Sequence, residues 1–180
     1  MRKIEHYHQS KYLPERSLYM YHEKESLKYI SGILSKYDFK LIIELGTAKM
    51  GFTLFLHECD KEIPIYSFDK LDVFNEEKYG LFNQNVHFIN EDVLVKANSK
   101  ISSLLSKNTH YLLYCDNGDK VKEISMYSSL ITKGNIIAVH DWGVDIDFTH
   151  KSVTESLVGF SMLDYDVDNE HITTRFFIKL

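Results

Sequence analysis

Acidic side chains recur wherever this chain leaves an apolar run. The run Leu41-Ile42-Ile43-Glu44-Leu45 stops at Gly46. The runs Ile63–Phe68, Val86–Ile89, Tyr111–Cys115 and Ile136–Val139 are followed by Asp69, by Asn90-Glu91-Asp92, by Asp116 and by His140-Asp141. Asp after a strand is ordinary turn chemistry, so a single instance says little; a series of five gathers acids at one edge of the structure. Asp116 and Asp141, with the His140 imidazole, form a donor set that suits a hard divalent cation such as Mg²⁺. Such an ion lowers the pKa of a bound hydroxyl and orients it for reaction. His140 has the alternative role of general base, since imidazole titrates near neutrality. Asp119 is a further candidate ligand, although Asn117-Gly118 beside it is a strong turn pair and the acids of this segment also suit a plain turn.

The segment Glu44-Leu45-Gly46-Thr47-Ala48-Lys49-Met50-Gly51 is the second candidate. It is not a phosphate-binding loop, because Phe52-Thr53 follows Gly51 where Lys-Ser/Thr is required. It is not the dinucleotide fingerprint either, because Ala48 replaces the middle glycine. Gly46 permits φ > 0 and the close approach of a ligand, and a helix starting near Phe52 adds free N–H groups. Glu44, inside the strand, suits a ligand with a positively charged amino group. Asp69, after the second run, can accept both hydroxyls of a ribose, with Asp72 as a less well placed alternative. Asp92, after the third, reads as a contact to an adenine edge or as a helix N-cap.

Positioning these residues requires strands and helices in alternation. Apolar residues at helical spacing run from Glu15 to Tyr37, starting at Glu15 or Ser17. The five apolar runs read as buried strands. Helices are expected over 52–60, 101–105, 120–131 and 150–158, and two closing strands over Phe160–Val167 and Ile172–Lys179, joined around Asp168-Asn169-Glu170. The expected fold is α/β, a Rossmann-like doubly wound mixed seven-strand sheet with a reversed C-terminal strand. Ligands in such sheets bind at the carboxyl ends of the strands, near the topological switch point.

The series Glu44-x-Gly46-x-x-x-x-Gly51, Asp69, Asp92, Tyr111–Asp116 and Ile136–Asp141 resembles the class I S-adenosylmethionine-dependent methyltransferases. The pairing of Cys115-Asp116-Asn117-Gly118-Asp119 with Val139-His140-Asp141-Trp142-Gly143 is most similar to the small metal-dependent O-methyltransferases, in the cephalosporin-hydroxylase-like and macrocin-O-methyltransferase-like groups. The match spans residues 41–143, with 144–180 fitting the last helix and reversed strand. Two departures stand out: Met50 where a glycine is usual, and Lys120 near where a His is usual.

The resemblance implies S-adenosyl-L-methionine held by Glu44, Gly46, Thr47, Gly51, Asp69 and Asp92. It implies catalysis by His140, Asp116 and Asp141, with Mg²⁺ on those three residues. The reaction expected is O-methylation of a small-molecule hydroxyl, on a sugar or polyol first and a catechol-like phenol second. Residues 1–40 would form an N-terminal segment with a helix near Tyr19–Tyr29 covering the acceptor side, and 41–180 the cofactor-binding domain. Trp142 could wall the acceptor pocket. The alternatives are a catalytically degenerate nucleotide-binding or interaction module of the same fold, which Met50 and Lys120 favour, and a nicotinamide-dependent enzyme, which Glu44 and the missing glycine disfavour.

Composition bounds these readings. The 180 residues suit one domain, and 44% hydrophobic with 26% charged residues is globular. A net charge of −5 disfavours a nucleic-acid partner. Two cysteines, Cys59 and Cys115, exclude a disulfide scaffold or a Cys-rich zinc site. No window resembles a signal peptide or a membrane span, so a cytoplasmic, membrane-free protein is expected, with a homo-oligomer open. His6 and His8, and the acids Asp164, Asp166, Asp168 and Glu170, read as solvated.

Overall fold

The structure, a computed structural model, describes residues 20–71, 82, 84–95, 98–163 and 172–180. Asp72, His6, His8, the start of the first expected helix, the hairpin around Asp168-Asn169-Glu170 and its neighbouring acids lie outside these residues.

Helix α1 (Lys24–Lys36) precedes β1 (Leu41–Leu45), α2 (Gly51–Cys59), β2 (Ile65–Asp69), β3 (Val86–Asn90), α3 (Ser99–Leu105), β4 (Tyr111–Cys115) and α4 (Lys120–Tyr127). A 3₁₀ turn (Ser128–Leu130) ends α4, where the sequence suggested helix to 131; β5 (Ile136–Val139), α5 (Lys151–Ser156), β6 (Phe160–Met162) and β7 (Arg175–Lys179) complete the chain. The strands form one seven-stranded sheet in the order β3-β2-β1-β4-β5-β7-β6. Strands β1 to β5 run parallel, and β7 is antiparallel to both β5 and β6. This is the expected Rossmann-like mixed sheet with its reversed last strand.

Alternation along the buried strands feeds two cores. Leu41, Ile43 and Leu45 of β1, with Tyr111, Leu113 and Cys115 of β4, pack on one face with Ile101, Leu104 and Leu105 of α3 and Ile124 and Tyr127 of α4. Ile42, Leu112 and Tyr114 pack on the other, with Ile30, Ile33 and Leu34 of α1 and Phe52 and Leu56 of α2. Helix α1 therefore shares the core of the sheet rather than forming a separate cover. Among the described residues no helix is long and apolar enough to cross a membrane.

Register then sets the site. Leu45 lies opposite Phe68 on one side and Cys115 on the other, and Cys115 lies opposite Val139. One residue further along, Asp69, Gly46, Asp116 and His140 therefore stand side by side at the carboxyl edge. The strand order reverses between β1 and β4, so this edge is the switch point where ligands of open α/β sheets bind.

Candidate functional site

A cleft of about 360 Å³ opens at this edge, within the range of small-molecule sites. It brings together Gly46, Thr47, Asp116, His140 and Asp141 from the expected set, and adds His22 and Phe52. Glu44, Gly51, Asp69 and Asp92 do not line it.

The acids are held by a closed network. His140 Nδ1 lies 3.0 Å from Asp116 Oδ1 and 3.4 Å from Asp141 Oδ1. Its Nε2 is buried and has no hydrogen-bond partner. Burial alone would lower the His140 pKa, but Asp116 and Asp141 outweigh it and leave the imidazole above its ordinary value. Lys120, the first residue of α4 and only 6% exposed, donates to Asp141 Oδ2 at 2.7 Å and reaches Asp116 Oδ1 at 3.4 Å. Asp141 adopts a left-handed backbone, φ 57, a conformation that Asp tolerates better than most residues.

The three expected Mg²⁺ ligands, Asp116, His140 and Asp141, lie together, with Lys120 among them. The Asp141 carboxylate is already bound to Lys120. Asp119, the further candidate ligand, caps α4 by accepting the Lys122 N–H through Oδ1. Trp142 packs edge-on against Phe148 and over Phe177, away from the cleft, so it does not wall the pocket.

His22 carried no sequence signal and is central. It precedes α1 in the segment Met20–Glu23, where Met20, Tyr21 and His22 line the cleft within the span expected to cover it. Its ring is sandwiched between Phe52 and His140, with centroids 4.1 Å away on each side. Its Nε2 is 2.8 Å from the Tyr114 hydroxyl. Burial, with His140 and Lys120 adding to it, holds its pKa well below the ordinary histidine value, so the ring is neutral.

The glycine loop differs from expectation in what it contacts. Glu44 is fully buried beneath α2 and accepts from the Thr53 hydroxyl at 2.7 Å. Burial pushes its pKa up to about 8; the Ser67 and Thr53 hydroxyls offset this in part, while Asp116 and Asp69 add to it. It does not face the cleft as a free carboxylate. Thr47, buried, pairs its hydroxyl with that of Ser67 at 2.6 Å. Gly51 is the buried first residue of α2. Asp69 braces the loop, accepting the Ala48 N–H at 2.8 Å and the Leu71 N–H at 2.9 Å. Each of its oxygens keeps a lone pair for a further donor. Asp92 accepts the Leu94 N–H in a turn after β3, while Asn98 caps α3.

Met50 stands in the left-handed region, φ 63. It is nonetheless built into the protein, because its fully buried side chain packs with Leu54 against Phe82 and Phe88. Met50→Gly should therefore cost stability. Losing a buried Met side chain costs roughly 2–5 kcal/mol, and relief of the left-handed backbone returns only about 1–2 kcal/mol. Urea denaturation should show a net loss near 2 kcal/mol; equal or greater stability would refute the packing role.

No family model and no curated protein matches this sequence. Solved structures do match its fold. CmcI without ligand superposes with a TM-score of 0.70 at 11% identity, over 91% of this chain and 74% of that one. CmcI carrying magnesium and S-adenosylmethionine gives 0.66 at 14%, over 91% and 75%. A predicted caffeoyl-CoA O-methyltransferase from Staphylococcus aureus gives 0.66 at 12%, over 96% and 90%. At such identities the shared property is the fold: this chain has the architecture of the S-adenosylmethionine-dependent O-methyltransferases.

Proposed function

We propose that the protein is an S-adenosylmethionine-dependent methyltransferase acting on an oxygen of a small molecule. The observation that carries this reading is the row Asp69, Gly46, Asp116 and His140 at the switch point of a methyltransferase-type sheet. Asp69 retains acceptor capacity for a ribose, and the Gly46–Thr47 backbone faces the cleft where the methionine part would lie. When bound, S-adenosylmethionine supplies a methyl group on a sulfonium. Asp116 fixes the His140 ring by accepting from Nδ1–H, which leaves Nε2 as a basic lone pair. His140 Nε2 would take the proton of the acceptor hydroxyl, and S-adenosylmethionine held beside Asp69 and Gly46 would supply the methyl group, its S–CH₃ bond breaking to leave S-adenosylhomocysteine. The buried Nε2 becomes reachable when the Met20–Glu23 segment moves aside. Mg²⁺ on Asp116, His140 and Asp141 does not fit the residues as arranged, because Lys120 already lies between the two carboxylates.

Binding of S-adenosylhomocysteine tests the reading. Calorimetry should detect it, and Asp69→Ala, folded by circular dichroism, should weaken it at least tenfold. The lost contacts to a charged group are worth roughly 1.5–3 kcal/mol. Absence of binding to the wild type would sink the proposal. Unchanged affinity in the variant would move the ribose contact away from Asp69.

A further inference from the structure

We propose that the Lys120 ammonium is the fixed internal cation of this site, standing where a divalent ion would bridge Asp116 and Asp141, so that the cleft takes no divalent metal.

The argument begins with position. Lys120 opens α4, four residues after Asp116, so its side chain returns toward the end of β4. There it meets Asp116 Oδ1 at 3.4 Å and Asp141 Oδ2 at 2.7 Å. A magnesium ion bridging the same two oxygens would need distances near 2.0–2.1 Å, in the gap between the carboxylates that the ammonium occupies. Two cations cannot share that space in a largely buried site, where repulsion is weakly screened.

The charge balance agrees. Two carboxylates face Lys120 and the His140 imidazole. With the His140 ring neutral, as its role as a base requires, two carboxylates and one ammonium sum to −1; a divalent ion added beside the ammonium would turn this largely buried cluster net positive. Lys120 is also suited to a permanent charge rather than to acting as a base. Burial alone would lower its pKa, but Asp116 and Asp141 carry it above the ordinary lysine value.

A second arrangement is geometrically close and fails on direction. One donor atom each of His22, Asp116 and His140 lie within 4.8 Å of one another. Yet the His22 and His140 rings are stacked with an interplanar angle of 17°. Imidazole lone pairs lie in the ring plane, so an ion shared by two stacked rings would lie well out of the plane of at least one of them. The His22 Nε2 is in addition engaged with Tyr114.

Manganese is the probe, read by water-proton relaxation and by thermal melts, on the protein alone. The wild type should show no saturable Mn²⁺ binding at millimolar concentration and no shift of melting temperature with Mn²⁺ or Mg²⁺. Lys120→Met should melt lower without metal, because two carboxylates lose their partner. It should bind Mn²⁺ at least tenfold more tightly than the wild type and recover melting temperature with the logarithm of metal concentration. Adding Asp141→Asn should abolish that binding. Lys120→Gln serves if the Met variant does not fold. Saturable Mn²⁺ binding to the wild type that Asp141→Asn removes would overturn the proposal without any Lys120 variant. A folded Lys120 variant that gains no affinity would overturn it equally. A lysine that only supports the fold would lower the melting temperature but create no metal site. Failure of the methyltransferase reading would appear instead as absent S-adenosylhomocysteine binding, with the Mn²⁺ pattern unaltered.

Discussion

Gly46→Ala should lose on the order of 3 kcal/mol or more of folding stability, enough to leave many marginal domains unfolded. A Cβ at Gly46 would lie 2.3 Å from the Asp116 carbonyl oxygen, 2.6 Å from its carbonyl carbon and 2.9 Å from the Asn117 Cα. All three are backbone atoms of the adjoining β4 end, so no side-chain rotation relieves the clash. The residue also sits at φ +102, which L side chains rarely adopt. Gly118→Ala is the matched control. Its φ is +95 and nothing lies within 4 Å of the added carbon, so only the backbone term remains, about 1 kcal/mol. Denaturant unfolding of the two variants should differ by roughly 2 kcal/mol or more. Equal losses would show that β1 and β4 can separate at this point. The glycine is thus required by Asp116, where the sequence suggested a ligand. Gly46→Val therefore cannot serve as a binding mutant with the fold intact.

Glu123→Gln should stabilise the protein above neutral pH and make its stability flatter against pH. Glu123 is fully buried, and its Oε1 accepts the Asn117 N–H at 3.1 Å. Burial pushes its pKa up to about 8; the Asn117 N–H lowers it in part, Asp116 raises it, Lys120 lowers it and Asp119 raises it. An acid whose folded pKa exceeds its unfolded value stays protonated in the native state while the unfolded chain ionises. Its penalty is absent below about pH 4 and grows as pH rises to the folded pKa. Across that window one such group can cost roughly 3–5 kcal/mol. Gln keeps the acceptor and cannot ionise. The gap in melting temperature between variant and wild type should be wide at pH 8 and close toward pH 5. A gap independent of pH would mean that Glu123 is ionised when folded. Glu44, also held near 8 by burial, adds a slope of the same sign in both proteins.

The sheet was legible because each of the five parallel strands holds a bounded apolar run with an acid inside it or within two residues of the strand's end. Tyr111–Cys115 and Ile136–Val139 match their strands residue for residue. What the sequence hides is direction and pairing. Asp116, His140 and Asp141 share an edge as expected, but nothing in their spacing says that a lysine will reach them. The offset of Lys120 from Asp116 by four was visible; its meaning needed α4 to start at Lys120 itself. Asp119 reads as a ligand or as part of a turn, and its role as a helix cap shows only once the Lys122 N–H points at it. Glu44 looked like a ligand group because an acid in a first strand is unusual, whereas alternation puts it under α2, beside Thr53. His22 is beyond any local pattern, since the residues that sandwich it are Phe52 and His140.

The extended segment ahead of α1 has a consequence for the order of assembly. Glu23 accepts the Thr173 hydroxyl at 2.6 Å across 150 positions of sequence, and the Thr173 N–H donates to the Ser26 hydroxyl across 147. Closing such long loops pays its entropy before any contact rewards it. The parallel core from β1 to β5 pairs over much shorter separations, so it can form first. On that accounting the wall carrying His22 seats after this core. Displacing Met20–Glu23 to open the cleft would break the Glu23–Thr173 hydrogen bond and leave the pairing of the parallel strands beneath it intact.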